Sequence, residues 1–139
     1  MASVKRRPEG FHTATPFLYV ADARKLIDFV ARAFGGAETR YHDLGNGHVH
    51  GEFRIGDSMV MIGQAEPASA SIYLYVDDVD ATYSRALAAG AKSVEAPSDK
   101  PYGDRNAWVV DPCGITWFIS AHIEDVSDAE VKNRMDAHK

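Results

Sequence analysis

The chain has 139 residues, 45% hydrophobic and 25% charged, which is ordinary for a globular protein with its own core. Fifteen Lys and Arg against 20 Asp and Glu give a net charge of −5, which argues against nucleic-acid binding because phosphates need a concentrated basic surface. The single cysteine, Cys113, has no intrachain disulfide partner. No apolar run reaches the length of a membrane span and no secretory signal opens the sequence, so we expect a cytoplasmic protein.

Two segments of the chain share the same order of sequence features. The first begins with Phe-Leu-Tyr-Val at 17–20 and the second with Tyr-Leu-Tyr-Val at 73–76. In each, an aspartate follows, Asp22 or Asp78, and such a residue caps a helix by accepting N–H groups of its first turn. Apolar residues at helical spacing come next, and then Gly35 or Gly90, where a glycine ends a helix. The repeat predicts strand, helix and strand twice over.

Short strand candidates follow each predicted helix. In the first half they cover 37–44, 49–55 and 59–63, separated by glycine-rich turns. In the second half they cover 92–95, 105–110 and 115–120, with a loop through Pro97 and Pro101. We therefore predict an α+β fold of two tandem βαβββ modules, 13–64 and 70–122, which form one curved mixed sheet, a cup, with the helices packed outside.

Two tails flank this single predicted domain. Residues 1–12 are predicted to be a disordered or extended tail, since the basic cluster Lys5-Arg6-Arg7 lies at the terminus. Residues 123–139 form a C-terminal tail in which Ser127 and Glu130 make a capping box, the signature of a short helix.

Strand alternation places a polar stripe on the strand over 49–55. Val49, Phe53 and Ile55 belong to one face, whereas His48, His50, Glu52 and Arg54 belong to the other. One interpretation is a solvated sheet face, which antiparallel sheets often have. The other is a site in which His50 and Glu52 act as an acid/base pair.

The face that carries this stripe would line the cup together with aromatic side chains, methionine and small hydroxyls. Apolar walls with a few polar groups suit a small organic ligand. Arg105 either binds an anionic ligand group or pairs with Asp104 in a loop. The candidate ligand-binding residues are Phe17, Tyr19, His48, Met61, Tyr73, Tyr75, Tyr102, Arg105 and Phe118.

Several short runs also resemble a known family. They are Tyr-Gly-Asp-Arg at 102–105, Asp-Pro-Cys-Gly-Ile-Thr-Trp at 111–117 and His-Ile-Glu-Asp-Val-Ser at 122–127, with 33–37 and 55–58 in the first half. The chain thereby resembles the PhnB-like branch of the glyoxalase/bleomycin-resistance (vicinal oxygen chelate) superfamily. The resemblance implies a soluble small-molecule protein, and a homodimer, because a second chain often completes the cup in related proteins. The superfamily includes lyases, isomerases, dioxygenases, thiol transferases and antibiotic-binding proteins, so it does not name the function.

The resemblance also implies where a divalent metal would sit. Metal-dependent members use His and Glu, and their four positions fall here on Thr15, Met61, Ser71 and Phe118. None of these is a good ligand for a hard or borderline cation, so we expect no metal or other cofactor there. The alternative is a displaced Zn, Fe, Ni or Mn site on the His48, His50 and Glu52 stripe.

Two functions of different class remain open from the sequence. The first is a protein that binds or sequesters an aromatic or hydrophobic compound without a metal. The second is a lyase, isomerase or dioxygenase-type enzyme that uses His50 and Glu52 as acid/base groups or displaced ligands. Neither involves nucleic acid or a membrane.

Overall fold

The computed structural model describes residues 6–68 and 70–137, whose elements form two modules of the same order. The first consists of β1 Phe17–Val20, α1 Ala23–Phe34, β2 Ala37–Gly45, β3 His48–Ile55 and β4 Ser58–Gln64. The second consists of β5 Ser71–Tyr75, α2 Val79–Ala88, β6 Lys92–Asp99, β7 Asp104–Val110 and β8 Thr116–His122, with α3 Asp128–Asp136 after it. The predicted α+β fold of two βαβββ modules is confirmed.

Each module forms its own four-stranded sheet. The strand orders are β1-β4-β3-β2 and β5-β8-β7-β6. The first strand of each module runs parallel to the last, and the other pairs are antiparallel. The structure therefore has two separate sheets where the sequence predicted one continuous curved sheet.

The helix boundaries follow from the capping residues. Asp22 accepts a hydrogen bond from the Lys25 N–H and Asp78 accepts one from the Ala81 N–H. Gly35 ends α1 with a left-handed φ of 68°. These predicted boundaries are confirmed, except that α2 ends at Ala88 and has Ala89 as its C-cap, with Gly90 next in the chain.

The short C-terminal helix is confirmed as well. Ser127 accepts from the Glu130 N–H at the start of α3. Of the predicted tails, residues 1–5, 138 and 139 lie outside the described residues. Residues 6–16 form neither helix nor strand.

The two modules meet through their helices. Among the described elements, the most extensive contact between one module and the other is that of α1 with α2. Phe34 at the end of α1 reaches the Trp117 ring on β8, with 4.9 Å between centroids, and both belong to one apolar core. Because each helix covers one face of its own sheet, the uncovered faces point away from the module boundary. No helix in the described ranges has the length and apolar character needed to cross a membrane.

β6 is longer than the sequence predicts. The predicted loop through Pro97 is wrong, since the strand continues through Pro97 to Asp99. β6 is an edge strand of its sheet, and an edge tolerates a residue that lacks an N–H donor. Two register shifts, between Ser93 and Glu95 and between Glu95 and Ser98, accompany this irregular stretch.

Candidate functional site

The uncovered face of the first sheet, here called the first face, carries the predicted polar stripe. His50 Nε2 lies 2.8 Å from Glu52 Oε2 on β3, and Glu52 is only 7% exposed. Across the sheet, Glu52 is opposite Met61 and Met61 is opposite Phe17. The first face comprises Phe17, Tyr19, His48, His50, Glu52, Met61 and Gly63.

Aromatic rings cover the β1 side of the first face. Phe17 lies 5.0 Å from Tyr19 and 5.8 Å from His50 between ring centroids. The Tyr19 and Phe17 rings pack over Gly63 on β4, where there is no side chain. A Cβ at this position would lie 3.0 Å from Tyr19 and 3.2 Å from Phe17. The His50–Glu52 pair is thus flanked by apolar rings, a combination that suits an organic ligand.

The uncovered face of the second sheet, here called the second face, is a more extensive aromatic surface. Tyr73 stacks on Phe118 with 5.6 Å between centroids and 17° between planes. Trp108 meets Phe118 edge-on at 4.6 Å, and Tyr75 contacts Tyr73 at 5.3 Å. The second face comprises Tyr73, Tyr75, Asp104, Asn106, Trp108, Phe118, Ser120 and His122.

A hydrogen-bonded polar network borders these rings. The buried Asp104 carboxylate accepts from the Tyr73 hydroxyl at 2.6 Å and pairs with His122 Nδ1 at 2.8 Å. His122 Nε2 pairs with Asp125 at 2.8 Å. The hydrogen bonds to Asp104 and Asp125 raise the pKa of His122, since they favour the doubly protonated ring. Burial and the Asp104 hydrogen bond both raise the pKa of Tyr73, so its hydroxyl stays protonated.

Asn106 links the aromatic surface to this network through hydrogen bonds. Its amide nitrogen donates to the Tyr73 hydroxyl at 3.2 Å and to the Tyr102 hydroxyl at 3.0 Å. Asp104, Asn106 and His122 were not among the predicted site residues. Alternation along β7 could have revealed the first two, since Asp104, Asn106 and Trp108 are spaced two apart on one face.

Arg105 lies away from both uncovered faces. It projects to the helix side of β7, where its guanidinium bonds Asp80 at 2.9 Å and Asp99 at 3.0 Å. Hydrogen bonds to Asp80 and Asp99 raise its pKa further above the ordinary value. The expected pairing of Asp104 with Arg105 in a loop is wrong, because they are neighbours in a strand and point to opposite faces.

The other predicted site residues divide between the two faces. Those on the first face are Phe17, Tyr19, His48, His50, Glu52 and Met61. Those on or beside the second are Tyr73, Tyr75, Tyr102 and Phe118. Because the modules meet through α1 and α2, the structure does not bring the two sets together within one chain.

The positions implied for a metal do not fit a divalent cation. Met61 and Phe118 offer a thioether and a ring, and Phe118 is packed between Tyr73 and Trp108. Over 6–68 and 70–137, no three His, Cys, Asp or Glu side chains are grouped as metal ligands would be. On the predicted displaced stripe the structure shows the His50–Glu52 contact, and a metal ion on that stripe stays a prediction.

Cys113 is a poor nucleophile in this setting. Burial raises the pKa of its thiol to about 11, and the Asp111 carboxylate adds to the effect. Asp111 instead organises the turn before β8, since it accepts from the Cys113 and Ile115 N–H groups and from Trp117 Nε1.

Comparison with known proteins identifies the family. The model of the Glyoxalase/Bleomycin resistance protein/Dioxygenase superfamily matches residues 11–119. The chain belongs to this superfamily. An uncharacterized protein of Mycobacterium bovis, Mb0911c, is 33% identical over 137 residues, covering 87% of this chain and 90% of the relative.

Two solved structures show the same fold. TioX from Micromonospora sp. ML1 superposes with a TM-score of 0.64 at 25% identity, covering 79% of this chain and 99% of that one. The fosfomycin resistance protein FosX from Mesorhizobium loti superposes with a TM-score of 0.62 at 16% identity, covering 90% and 97%.

Proposed function

We propose that this chain is a homodimeric small-molecule-binding protein of the glyoxalase/bleomycin-resistance superfamily, which holds an aromatic or hydrophobic compound between two aromatic faces. The observation that carries the proposal is four aromatic side chains that are 41–68% exposed, Phe17, Tyr19, Tyr73 and Tyr75. Exposed apolar side chains that cluster on a surface mark ligand or partner sites. The finer assignment to the PhnB-like branch, with a cytoplasmic location, stays a prediction.

Dimerisation would supply the cup that one chain lacks. The first and second faces point away from each other within the chain because α1 and α2 join the modules. In the proposed dimer, the first face of one copy meets the second face of the other, so each ligand site draws on both copies. Symmetric pairing of this kind buries both sets of rings and forms two equivalent sites.

The ligand site is proposed to work without a metal. The usual positions carry side chains that do not fit a divalent cation, and Glu52 is bonded to His50. Binding then relies on burial of apolar surface and on the few polar groups that orient the ligand.

The decisive experiment is native mass spectrometry of protein purified without a histidine tag, supported by sedimentation velocity. The expected result is a dimer that carries an organic molecule or takes up an aromatic dye at two per dimer. Tyr73→Ser should lower dye affinity, whereas Lys132→Ser on the exposed side of α3 should not. A protein that stays monomeric at high concentration and takes up no dye contradicts the proposal.

A second candidate is supported by the His50–Glu52 contact. A histidine 2.8 Å from a buried carboxylate is an arrangement that moves protons in many enzymes, so a lyase or isomerase remains the alternative. A dioxygenase-type enzyme would need a metal on the same stripe.

Metal analysis separates these candidates. The test compares metal content and melting temperature with Mn, Fe, Ni, Co and Zn, because a ligand that binds only the native state raises the melting temperature. One ion per chain that is lost in both His50→Ala and Glu52→Ala would favour the displaced-metal enzyme over the proposed function. Binding of no ion leaves the binder and the metal-free acid/base enzyme.

A further inference from the structure

Two exposed arginines border the first face. Arg54 follows Glu52 by two residues on β3, and Arg40 on β2 is opposite Glu52, so strand geometry places both arginines on the side of Glu52. Their sequence neighbours agree with this placement. Phe53 is buried in the core, and Tyr41 contacts a side chain of α1, so the residues next to them point away from the helices.

These two arginines lack the partners that other arginines of the chain have. Three arginines elsewhere each bond a carboxylate at 2.6–2.9 Å, namely Arg24, Arg105 and Arg134. Within residues 6–68 and 70–137, neither Arg40 nor Arg54 has a hydrogen bond or an ion pair. The nearby Glu52 carboxylate bonds His50 instead. Two guanidinium groups are therefore available to a molecule that approaches the first face.

The spacing allows both guanidinium groups to reach one anion. Arg40 and Arg54 are diagonal neighbours across the β2–β3 pair, because the residue opposite Arg40 is two positions before Arg54. Diagonal neighbours in an antiparallel pair are about 7–8 Å apart, a distance that long side chains bridge. A guanidinium also matches an oxyanion geometrically, since its parallel N–H groups bond two oxygens at once.

The local charge favours an anion although the whole chain has a net charge of −5. The first face has one carboxylate, that of Glu52, which is 7% exposed and bonded to His50. Two permanent positive charges border it. His42, which is opposite His50 on β2, adds a side chain that becomes positive when protonated.

The second face has no equivalent pair of cations. By register, Glu95 takes the place of Arg40, since it is opposite Trp108 as Arg40 is opposite Glu52. Val110 takes the place of Arg54. The anionic group of a ligand held between the two faces would therefore be attracted to the first face and repelled by Glu95 on the second.

Arg54 also borders an open cavity of about 660 Å³, lined by residues 7–12 and by the turn after β3. Its walls include Arg7 as well as the carboxylate residues Glu9 and Asp57. Because charges of both signs line this cavity, it does not favour an anion. The anion site therefore lies on the side of Arg54 that faces Arg40.

We propose that Arg40 and Arg54 bind the oxyanion, a carboxylate or a phosphate, of an aromatic acid whose ring packs against Met61 and Phe17. Met61 and Phe17 continue the row of Arg40 and Glu52 across the sheet. Neighbouring strands are about 4.8 Å apart, so Met61 is about 10 Å from Arg40, a span that an aryl acid and an arginine side chain bridge together. The inference rests on the proposed binding function and names the class of its ligand.

The test compares 2-naphthoate, 2-naphthyl phosphate and the neutral 2-naphthamide, which share a ring system. Ligand-observed NMR titrations of the full chain give the Kd of each probe. We expect at least one anion to bind about tenfold more tightly than 2-naphthamide, as charge-assisted hydrogen bonds would give. The tighter anion identifies the oxyanion. This preference should fall as NaCl is raised from about 50 to about 500 mM, because salt screens exposed charges.

Variants then locate the effect. Arg40→Gln and Arg54→Gln should each reduce the preference for the anion about threefold, and the double variant should remove it, while the Kd of 2-naphthamide stays nearly unchanged. Arg32→Gln is the matched control, since it removes the same charge from an exposed position on α1, on the other side of the sheet. Thermal unfolding of each variant confirms that it is folded.

The outcomes separate the two proposals. Equal affinity for the anions and 2-naphthamide overturns the anion site and leaves the binding function standing. An equal loss of preference in Arg32→Gln overturns it too, because the effect would then come from net charge. A double variant that becomes monomeric in sedimentation velocity and keeps its preference assigns the two arginines to the partner copy and overturns the site. Failure of every probe and of the aromatic dye overturns the binding function and the anion site with it.

Discussion

The first and second faces have the same scaffold and different chemistry. By repeat and register, Phe17, Met61 and Glu52 on the first face correspond to Tyr73, Phe118 and Trp108 on the second. In the next row, Tyr19, Gly63 and His50 correspond to Tyr75, Ser120 and Asn106. The βαβββ unit thus places six equivalent residue positions on each face, and the residues at those positions determine the chemistry of the face.

The difference lies in how charge is distributed. At the His50 and Glu52 positions the first face has an ionisable pair beside its rings, whereas the second face has the neutral Asn106 and Trp108. The ionisable groups of the second face, Asp104 and His122, are one row farther along. In the proposed dimer, a ligand would thus meet an acid/base pair on one side and neutral polar groups on the other.

The largest expected contrast concerns the position that Asp104 shares with His48. Asp104→Ala should lower the free energy of unfolding by about 2–3 kcal/mol, since it removes the acceptor of Tyr73 and His122 from a buried position. His48→Ala should change it by less than about 0.5 kcal/mol, because His48 is exposed. Urea unfolding measures the free energy of unfolding of both variants. Equal losses in the two would contradict the predicted difference between the faces.

A second contrast concerns coupling between same-face neighbours. A double-mutant cycle of His50→Ala and Glu52→Ala should give a coupling free energy of about 1 kcal/mol from their hydrogen bond. The equivalent cycle of Asn106→Ala and Trp108→Phe should give less than about 0.5 kcal/mol, because no hydrogen bond joins them. Comparable coupling free energies in both cycles would contradict a stabilising hydrogen bond between His50 and Glu52.

The pH dependence of stability should come from the second face through His122. Its pKa is raised in the folded state, so its contribution is fully present below the ordinary value of about 6.5. That contribution is lost as pH rises through the folded-state pKa. The urea midpoints of wild type and His122→Gln should therefore differ more at pH 6 than at pH 9. A difference that grows with pH would contradict the assignment.

The smallest expected effects on the free energy of unfolding come from substitutions at Gly63 and Ser120, which hold equivalent positions on the two faces. Gly63→Ser should cost about 1 kcal/mol, because the new Cβ would press on the Tyr19 and Phe17 rings, which must shift. Ser120→Ala should lower the free energy of unfolding by about 0.5 kcal/mol, since it removes a hydroxyl that bonds the Tyr73 hydroxyl, which keeps its hydrogen bond to Asp104. A loss in Ser120→Ala as large as that in Asp104→Ala would contradict this ranking.

Sequence patterns predicted the features that depend on local geometry. Strand alternation placed His50 and Glu52 on one face because successive side chains in a strand alternate. Asp22 and Asp78 marked the helix starts because their side chains satisfy free N–H groups of the first turn. The superfamily could be predicted from motifs near the end of the chain, which the family model supports.

Features that depend on strand pairing could not be predicted in the same way. Tyr73 and Asp104 are 31 residues apart and meet only because β8 lies between β5 and β7. Arg105 looked like the partner of its sequence neighbour, whereas the strand turns it toward Asp80 on α2. The division into two sheets depends on which strands pair with one another, and no local pattern encodes that pairing.

The joining of the modules through α1 and α2 has a genetic consequence in the proposed dimer. Each site would combine the first face of one copy with the second face of the other. A chain damaged at Phe17 and a chain damaged at Tyr73 would each form homodimers in which both sites are defective. A heterodimer of the two would have one doubly damaged site and one intact site. Coexpression of two inactive alleles would therefore restore function by intragenic complementation.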